Sequence, residues 1–349
     1  MAIITVIGSG MMGSAITWPA ADNGHTIRYV GSPLDRAIID HARATREHLT
    51  LKRPFPKGDL HFYQIEELAE AMKGADLLLC GVSSFGLDWF LDTIIPQIPD
   101  NSIVLSITKG MVALEDGSMI SYPEVMEQRA EALGKKGIDF NAVGGPCTSY
   151  ELADLDPTEV TFCGRKPETL RWLKSLFEQD YYNISLSTDV RGVECAVALK
   201  NAYALGVSLA IGMSYKREGR EFEHYNSQAA LFGQAVREMT LLLDLCDGKP
   251  EQLPLGVGDL YVTVFGGRTR KIGTLLGTGM SFDEAMEILK GTTLESIVIS
   301  TRTAVAVRRL IERGVVTAEQ FPMLMHIDEL VNGGKTVNVP WKAFEREDF

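Results

Sequence analysis

The chain opens with a short apolar run, Ile3-Ile4-Thr5-Val6-Ile7, that breaks into Gly8-Ser9-Gly10-Met11-Met12-Gly13 and continues as a helix-compatible stretch from Ser14 to Asn23. A strand feeding a glycine-rich turn and then a helix is the setting in which three spaced glycines hold a dinucleotide. Gly8 permits the tight turn, Gly10 lets backbone approach a pyrophosphate, and Gly13 lets helix and strand pack closely. The phosphates then lie on the unpaired amides of the helix N-terminus, which puts Ser9, Met11 and Met12 beside the ligand.

The rest of the first half fits that start. Strand-like segments at 3–7, 26–30, 76–82, 102–107, 138–143, 158–163 and 183–186 alternate with helix-like segments. The latter run from Asp35 to His48, Ile65 to Met72, Leu87 to Ile94, Pro123 to Leu133 and Pro167 to Gln179. Such alternation predicts an α/β domain over 1–188, a Rossmann-type doubly wound parallel sheet covered on both faces. From Asp189 onward, long helical runs at 190–213, 226–247 and 295–313 predict an all-helical domain over 189–349, with Thr188 or Asp189 capping its first helix. The charged stretch Lys216-Arg217-Glu218-Gly219-Arg220-Glu221 reads as a solvated loop between two helices.

A chain of 349 residues supplies about two domains of ordinary size. Its net charge of -12 argues against binding nucleic acid or an acidic membrane surface, while leaving room for a locally basic pocket that takes a phosphorylated metabolite. The five cysteines, Cys80, Cys147, Cys163, Cys195 and Cys246, have no metal-ligand spacing and suit a reducing cytoplasm. No bound metal is expected. The opening apolar run is too short for a secretory signal and is accounted for as a strand. Cys195 to Met213 is long and apolar enough to cross a bilayer, but Lys200 and Asn201 near its middle are costly in lipid, so it reads as a buried helix.

Lys200 is the most suggestive side chain. It interrupts the apolar run around Cys195–Leu205, where burial disfavours the charged form and readies an ammonium to exchange a proton near neutral pH. A lysine that snorkels to the surface along its methylene stem fits the same pattern. A second cluster spans Gly256 to Lys271, where Asp259 lies between glycines and Gly266-Gly267 leads into Arg268-Thr269-Arg270. That turn can bind phosphate through a guanidinium, a hydroxyl and helix-start amides, or it can be a plain basic surface turn. Cys147 follows Gly145-Pro146 with no histidine nearby to activate it, so it reads as a packed thiol. His25, His41, His48 and His61 read as surface groups, and His326 as a core or interface residue.

Asp259 with Gly266-Gly267-Arg268, Lys200-Asn201 preceded by Glu194, Thr108-Lys109-Gly110 after a strand, and Gly144-Gly145-Pro146 together resemble the motif set of NAD(P)-dependent glycerol-3-phosphate dehydrogenases. The resemblance runs from residue 3 to about residue 330. It implies that Lys200 is the catalytic acid/base, that Lys109 is a second active-site lysine, and that Asp259 interacts with the catalytic lysine. It further implies that Asn201 is a substrate-site amide and that Arg268 holds substrate phosphate. NAD or NADP is the implied cofactor, a small phosphorylated polyol or ketose the implied substrate, and lysines take the electrophilic role of a metal.

Two departures bear on the substrate. The family has Asn after the arginine where this chain has Thr269, a shorter group with one donor in place of two. Residues 214–225 read as an insertion leaving the lysine-bearing helix. A related polyol or keto-sugar phosphate is the nearest alternative, then a 3-hydroxyacid dehydrogenase or ketoacid reductase, then a nucleotide-binding protein without turnover. At the end of the second strand no acid is placed to meet a ribose 2′-hydroxyl, whereas Ser32 with Arg36 suits a 2′-phosphate. Large helical second domains with apolar faces often pair, so a homodimer is expected.

Overall fold

A computed structural model describes residues 1–347. They divide into two compact units, 1–109 with 121–194, and 110–120 with 195–347. The segment 110–120, which the sequence reading places in the first domain, thus belongs to the second unit, and residues 189–194 belong to the first.

Among the described residues ten strands form in chain order: β1 Ile3–Ile7, β2 Thr26–Val30, β3 Leu60–Tyr63, β4 Leu77–Cys80, β5 Ile103–Ser106, β6 Met111–Ala113, β7 Met119–Ser121, β8 Asp139–Gly144, β9 Thr158–Cys163 and β10 Tyr182–Ser187. Eight of them make the sheet of the first unit, in the order β10-β9-β8-β5-β4-β1-β2-β3. Strand order reverses where β1 lies between β2 and β4, the switch point at which a doubly wound sheet opens a crevice for ligand. Ile4 and Val6 on one face and Thr5 and Ile7 on the other are fully buried, as a central strand covered on both faces requires.

The sheet departs from an all-parallel one at a single place. β8 and β9 are antiparallel, whereas β9 and β10 pair in parallel. The cause lies in the connections: β9 and β10 are joined through the Pro167–Phe177 helix, a crossover, while only the short Ser149–Ala153 helix separates β8 from β9. β3 went unread in the sequence because it is a four-residue edge strand with only Leu60 buried.

The helix after the glycine loop is also broken. It runs from Met11 to Ala15, stops, and resumes from Trp18 to Asp22. Pro19 lacks the N–H that would continue the first segment, and its ring opposes the preceding turn. Thr17 Oγ1 donates to the Ser14 carbonyl at 2.7 Å, satisfying an acceptor at the break.

In the second unit the helix Val190–Glu218 is central from Cys195 onward. Its apolar window is long enough to cross a membrane, and 89% of that window is buried inside the protein, so it is a core helix. It extends five residues past Met213 because Lys216, Arg217 and Glu218 are good helix formers, and it ends at Gly219, φ 65°. The solvated loop expected from Lys216 to Glu221 is therefore half helix. The helices Tyr225–Leu245, Leu253–Phe265, Gly267–Gly277, Glu295–Glu312 and Pro322–Val331 pack in the same core. The paired strands β6 and β7, too short to show alternation in sequence, contribute Met111 and Met119 to it. Arg309 fixes the intervening turn by donating to the Leu114 carbonyl at 2.6 Å.

Candidate active site

In the first unit, the loop after β1 has the geometry its glycines require. Gly8 has φ 99°, which favours glycine. A Cβ on Gly13 would lie 2.2 Å from the Gly8 carbonyl oxygen, so the helix approaches the strand as only glycine allows. A Cβ on Gly10 would meet nothing within 4 Å. The backbone there faces open space, which fits a pyrophosphate brought against it.

Ser9 is fully buried and anchored through each of its polar groups. Its N–H donates to Asp35 Oδ2 at 3.1 Å and its hydroxyl to the Val30 carbonyl at 3.1 Å. Its carbonyl accepts from His48 Nε2 at 3.0 Å. The same Asp35 oxygen accepts from the Ser32 N–H at 2.9 Å. Asp35, passed over in the sequence because it lies beyond the strand end, thus reaches back to the loop.

His48 is likewise not a surface group; it is fully buried. Its ring lies 5.7 Å from Phe55, which also meets Tyr29 at 4.9 Å, and Tyr29 stacks on Phe62 at 5.2 Å. Its Nδ1 accepts from the Leu51 N–H at 3.1 Å, which leaves the proton on Nε2 to donate to Ser9. Burial holds its pKa below the ordinary histidine value.

Two motifs separated by more than 30 residues meet beyond β5. Thr108 Oγ1 donates to the Val82 carbonyl at 2.7 Å, fixing the strand exit. Lys109 Nζ then donates to the Gly145 carbonyl at 2.7 Å. Gly145 has φ 117° and lies against β9, where a Cβ would come 3.2 Å from Val160 Cα.

In the second unit, Lys200 Nζ pairs with Asp259 Oδ1, and their side chains are only 15% and 3% exposed. The lysine does not snorkel to bulk solvent. The two helices approach closely one turn earlier, where a Cβ on Gly256 would lie 2.3 Å from the Ala196 carbonyl oxygen. The carboxylate stabilises the charged ammonium and opposes the desolvation that burial imposes. Asn201, the next residue, is partly buried and its amide makes no hydrogen bond among the described residues.

The turn at Gly266-Gly267 starts the 11-residue helix Gly267–Gly277. Arg268 is exposed and has no ion pair among the described residues, while Thr269 is buried. Gly273 and Gly277 seat this helix on the central one: a Cβ on either would lie 2.5 Å from the Leu205 carbonyl oxygen or 2.2 Å from that of Leu209. Arg270 turns away, pairing with Glu223 at 2.5 Å. The loop after Glu218 is thereby tied to the turn.

Comparison with known proteins agrees with this arrangement. The N-terminal model of NAD-dependent glycerol-3-phosphate dehydrogenase matches residues 3–169, and the C-terminal model matches residues 189–342. An NADP(+)-dependent glycerol-3-phosphate dehydrogenase from Archaeoglobus fulgidus is 32% identical over 290 residues, 82% of this chain and 84% of that protein. The chain belongs to the NAD(P)-dependent glycerol-3-phosphate dehydrogenase family.

A glycerol-3-phosphate dehydrogenase [NAD(P)+] from Bacillus velezensis is 28% identical over 81% of this chain and 79% of its own length. The fold matches that of the Plasmodium falciparum glycerol-3-phosphate dehydrogenase, with TM-score 0.82, 21% identity and coverage of 100% of this chain and 96% of the other. Within this glycerol-3-phosphate dehydrogenase family member, Asp35 and His48 are the residues that sequence reasoning missed. A spacing of about 20 residues from the glycine motif was the available signal for Asp35. For His48 there was none, since its partner is a backbone carbonyl.

Proposed function

We propose that this protein interconverts sn-glycerol 3-phosphate and dihydroxyacetone phosphate with NAD(P) as hydride carrier. The observation that carries the reading is the buried Lys200–Asp259 pair, a proton-bearing group held in one orientation by close-packed helices. A dinucleotide held by the glycine loop would supply hydride acceptor and donor chemistry toward the substrate carbinol or carbonyl carbon. Lys200 gives a proton to the ketone oxygen during reduction and takes it from the hydroxyl during oxidation. Asp259 holds the Lys200 side chain in place. Lys109 offsets negative charge developing on the reacting oxygen.

Arg268 and the Thr269 hydroxyl hold the substrate phosphate, and Asn201 donates to a substrate hydroxyl. The loop Gly8, Ser9, Gly10, Met11, Met12 and Gly13 holds the pyrophosphate, with Ser32 beside the adenosine end. Residues 1–188 serve the cofactor and 189–349 the substrate. A cytoplasmic homodimer is the working assembly; the five cysteines, none in a disulfide among the described residues, suit that compartment.

A longer ketose phosphate is the second reading, favoured by Thr269 and by the Glu223–Arg270 tie. The test is oxidation of NADH and NADPH with dihydroxyacetone phosphate beside four- and five-carbon ketose phosphates and their unphosphorylated forms. Fast turnover with dihydroxyacetone phosphate is expected. Turnover only with a longer ketose phosphate would favour the second reading, and none across the panel would overturn both.

A further inference from the structure

The segment 219–224, which the sequence reads as part of an insertion, is not a loose connection. His224 Nε2 meets Glu218 Oε1 at 2.7 Å, and the His224 N–H donates to Ser214 Oγ at 3.3 Å. The Phe222 and His224 rings pack edge to face at 5.2 Å. Glu223, between them, uses both carboxylate oxygens: Oε1 takes Arg270 Nη2 at 2.5 Å and Oε2 accepts from Gln228 Nε2 at 3.2 Å. The Glu223 and Arg270 side chains are 28% and 21% exposed, so salt screens this pair less than one on the open surface.

Arg270 carries the tie into the phosphate turn. Its Nη1 donates at 3.0 Å to the Val264 carbonyl, at the end of the Leu253–Phe265 helix, while its own backbone lies near the start of the Gly267–Gly277 helix. The guanidinium thus brackets both sides of Gly266-Gly267. Packing does not fix those glycines, since a Cβ on either would meet nothing within 4 Å, and Gly266 supplies no side-chain cap. A joint of two unhindered glycines takes its geometry from the bracket. Charge is divided as well: Glu223 neutralises Arg270, and the exposed Arg268 is left outside any ion pair among the described residues.

We propose that Glu223 is a positioning residue for phosphate recognition: by holding Arg270 it sets the Gly266-Gly267 turn so that Arg268 and Thr269 close on a single phosphomonoester. Of the two arginines, Arg268 alone is left to meet the substrate dianion. The inference rests on the turn being the phosphate site of the proposed reaction, and it holds for either length of substrate chain.

Inorganic phosphate, titrated by calorimetry into the whole protein with NADH present, reads the turn apart from turnover. Kinetics with dihydroxyacetone phosphate and with unphosphorylated dihydroxyacetone read it in the reaction. In Glu223→Ala, phosphate binding weakens and KM for dihydroxyacetone phosphate rises, each by roughly tenfold, the scale of coupling within one hydrogen-bond network. Both kcat and activity on dihydroxyacetone change far less. Glu223→Gln, which keeps an acceptor for Arg270, recovers part of the loss, and Glu223→Ala with Arg270→Ala is no worse than the worse single change. Arg268→Ala removes the phosphate signal, which assigns it to the turn, and thermal melts establish that each variant is folded.

Unchanged phosphate affinity and KM in folded Glu223→Ala, equal losses on the phosphorylated and unphosphorylated ketones, or additive losses in the double variant overturn the role of Glu223. Unmodified protein that binds phosphate at the turn without reducing dihydroxyacetone phosphate overturns the proposed reaction, and the phosphate titration of Glu223→Ala still decides the role of Glu223. No phosphate binding, or binding that survives Arg268→Ala, overturns the phosphate turn and the part of Glu223 in it.

Discussion

His48 donates through Nε2 to the Ser9 carbonyl at 3.0 Å, so a buried imidazole fixes the central peptide of the glycine loop from below. His48→Ala removes that donor and opens space beside Phe55. A lost buried hydrogen bond of about 1–2 kcal/mol predicts roughly tenfold weaker nucleotide binding, read by titration. His48→Gln, which can still donate, recovers part of it.

The same residue makes a pH prediction. Its folded-state pKa is lowered mainly by burial, so the unfolded chain binds the proton more readily. Stability from this group is complete above the unfolded value of about 6.5 and is lost as pH falls from there through the folded value. His25 and His326 are shifted in the same direction by burial, so all three contribute. Melting temperature should fall on acidification below about 6.5, and His48→Gln should flatten that fall. An unchanged slope in the variant would show that His48 carries no such linkage.

For the proposed acid/base, Lys200→Ala should lower kcat by about 10²–10⁴-fold while NADH binding survives, since the glycine loop lies in the other unit. Asp259→Asn removes the carboxylate charge facing the ammonium and should lower kcat less. Near-normal turnover in Lys200→Ala rejects the mechanism. Removing Lys200 also takes an ion-pair partner from the buried Asp259 carboxylate, so melts must accompany the kinetics.

Legibility in the sequence followed the range of the interactions. β1, its glycine turn and the long apolar helix are set by local pattern, and the structure has them near the residues expected. β3 and the β6/β7 pair escaped because an edge strand and three-residue strands have no run long enough to show a period. Lys200 and Asp259 stood out individually, as a charge in an apolar run and an acid between glycines. Their association came from the family resemblance and not from either residue's own pattern, and the Gly256 contact on Ala196 gives its geometric reason. Asp35 and His48 act on backbone amides and carbonyls, which every residue carries, so no side-chain pattern could mark their partners.

At the phosphate turn, Arg268→Ala should raise KM for the phosphorylated substrate. Loss of a charged hydrogen bond, about 1.5–3 kcal/mol, corresponds to roughly 10–100-fold in kcat/KM. Activity on an unphosphorylated analogue should change little. Thr269→Asn supplies the second donor that the family motif carries, and an altered preference across the ketose phosphate panel would show that Thr269 sets substrate length.

Gly273 tests whether that turn depends on the helix seating beneath it. A Cβ there would lie 2.5 Å from the Leu205 carbonyl oxygen and 2.6 Å from Ser208 Cβ, both on the central helix. Neither is the end of a flexible side chain, so Gly273→Ala must push the Gly267–Gly277 helix outward. Overpacking of this kind costs about 1–3 kcal/mol, which urea unfolding would resolve. The shift also moves Arg268 and Thr269, five and four residues before Gly273, so KM for phosphorylated substrate should rise more than kcat falls. Lys200 and Asp259 sit on a separate contact through Gly256, and their pairing should survive. A variant that loses stability while keeping KM would show that phosphate binding does not depend on this seating.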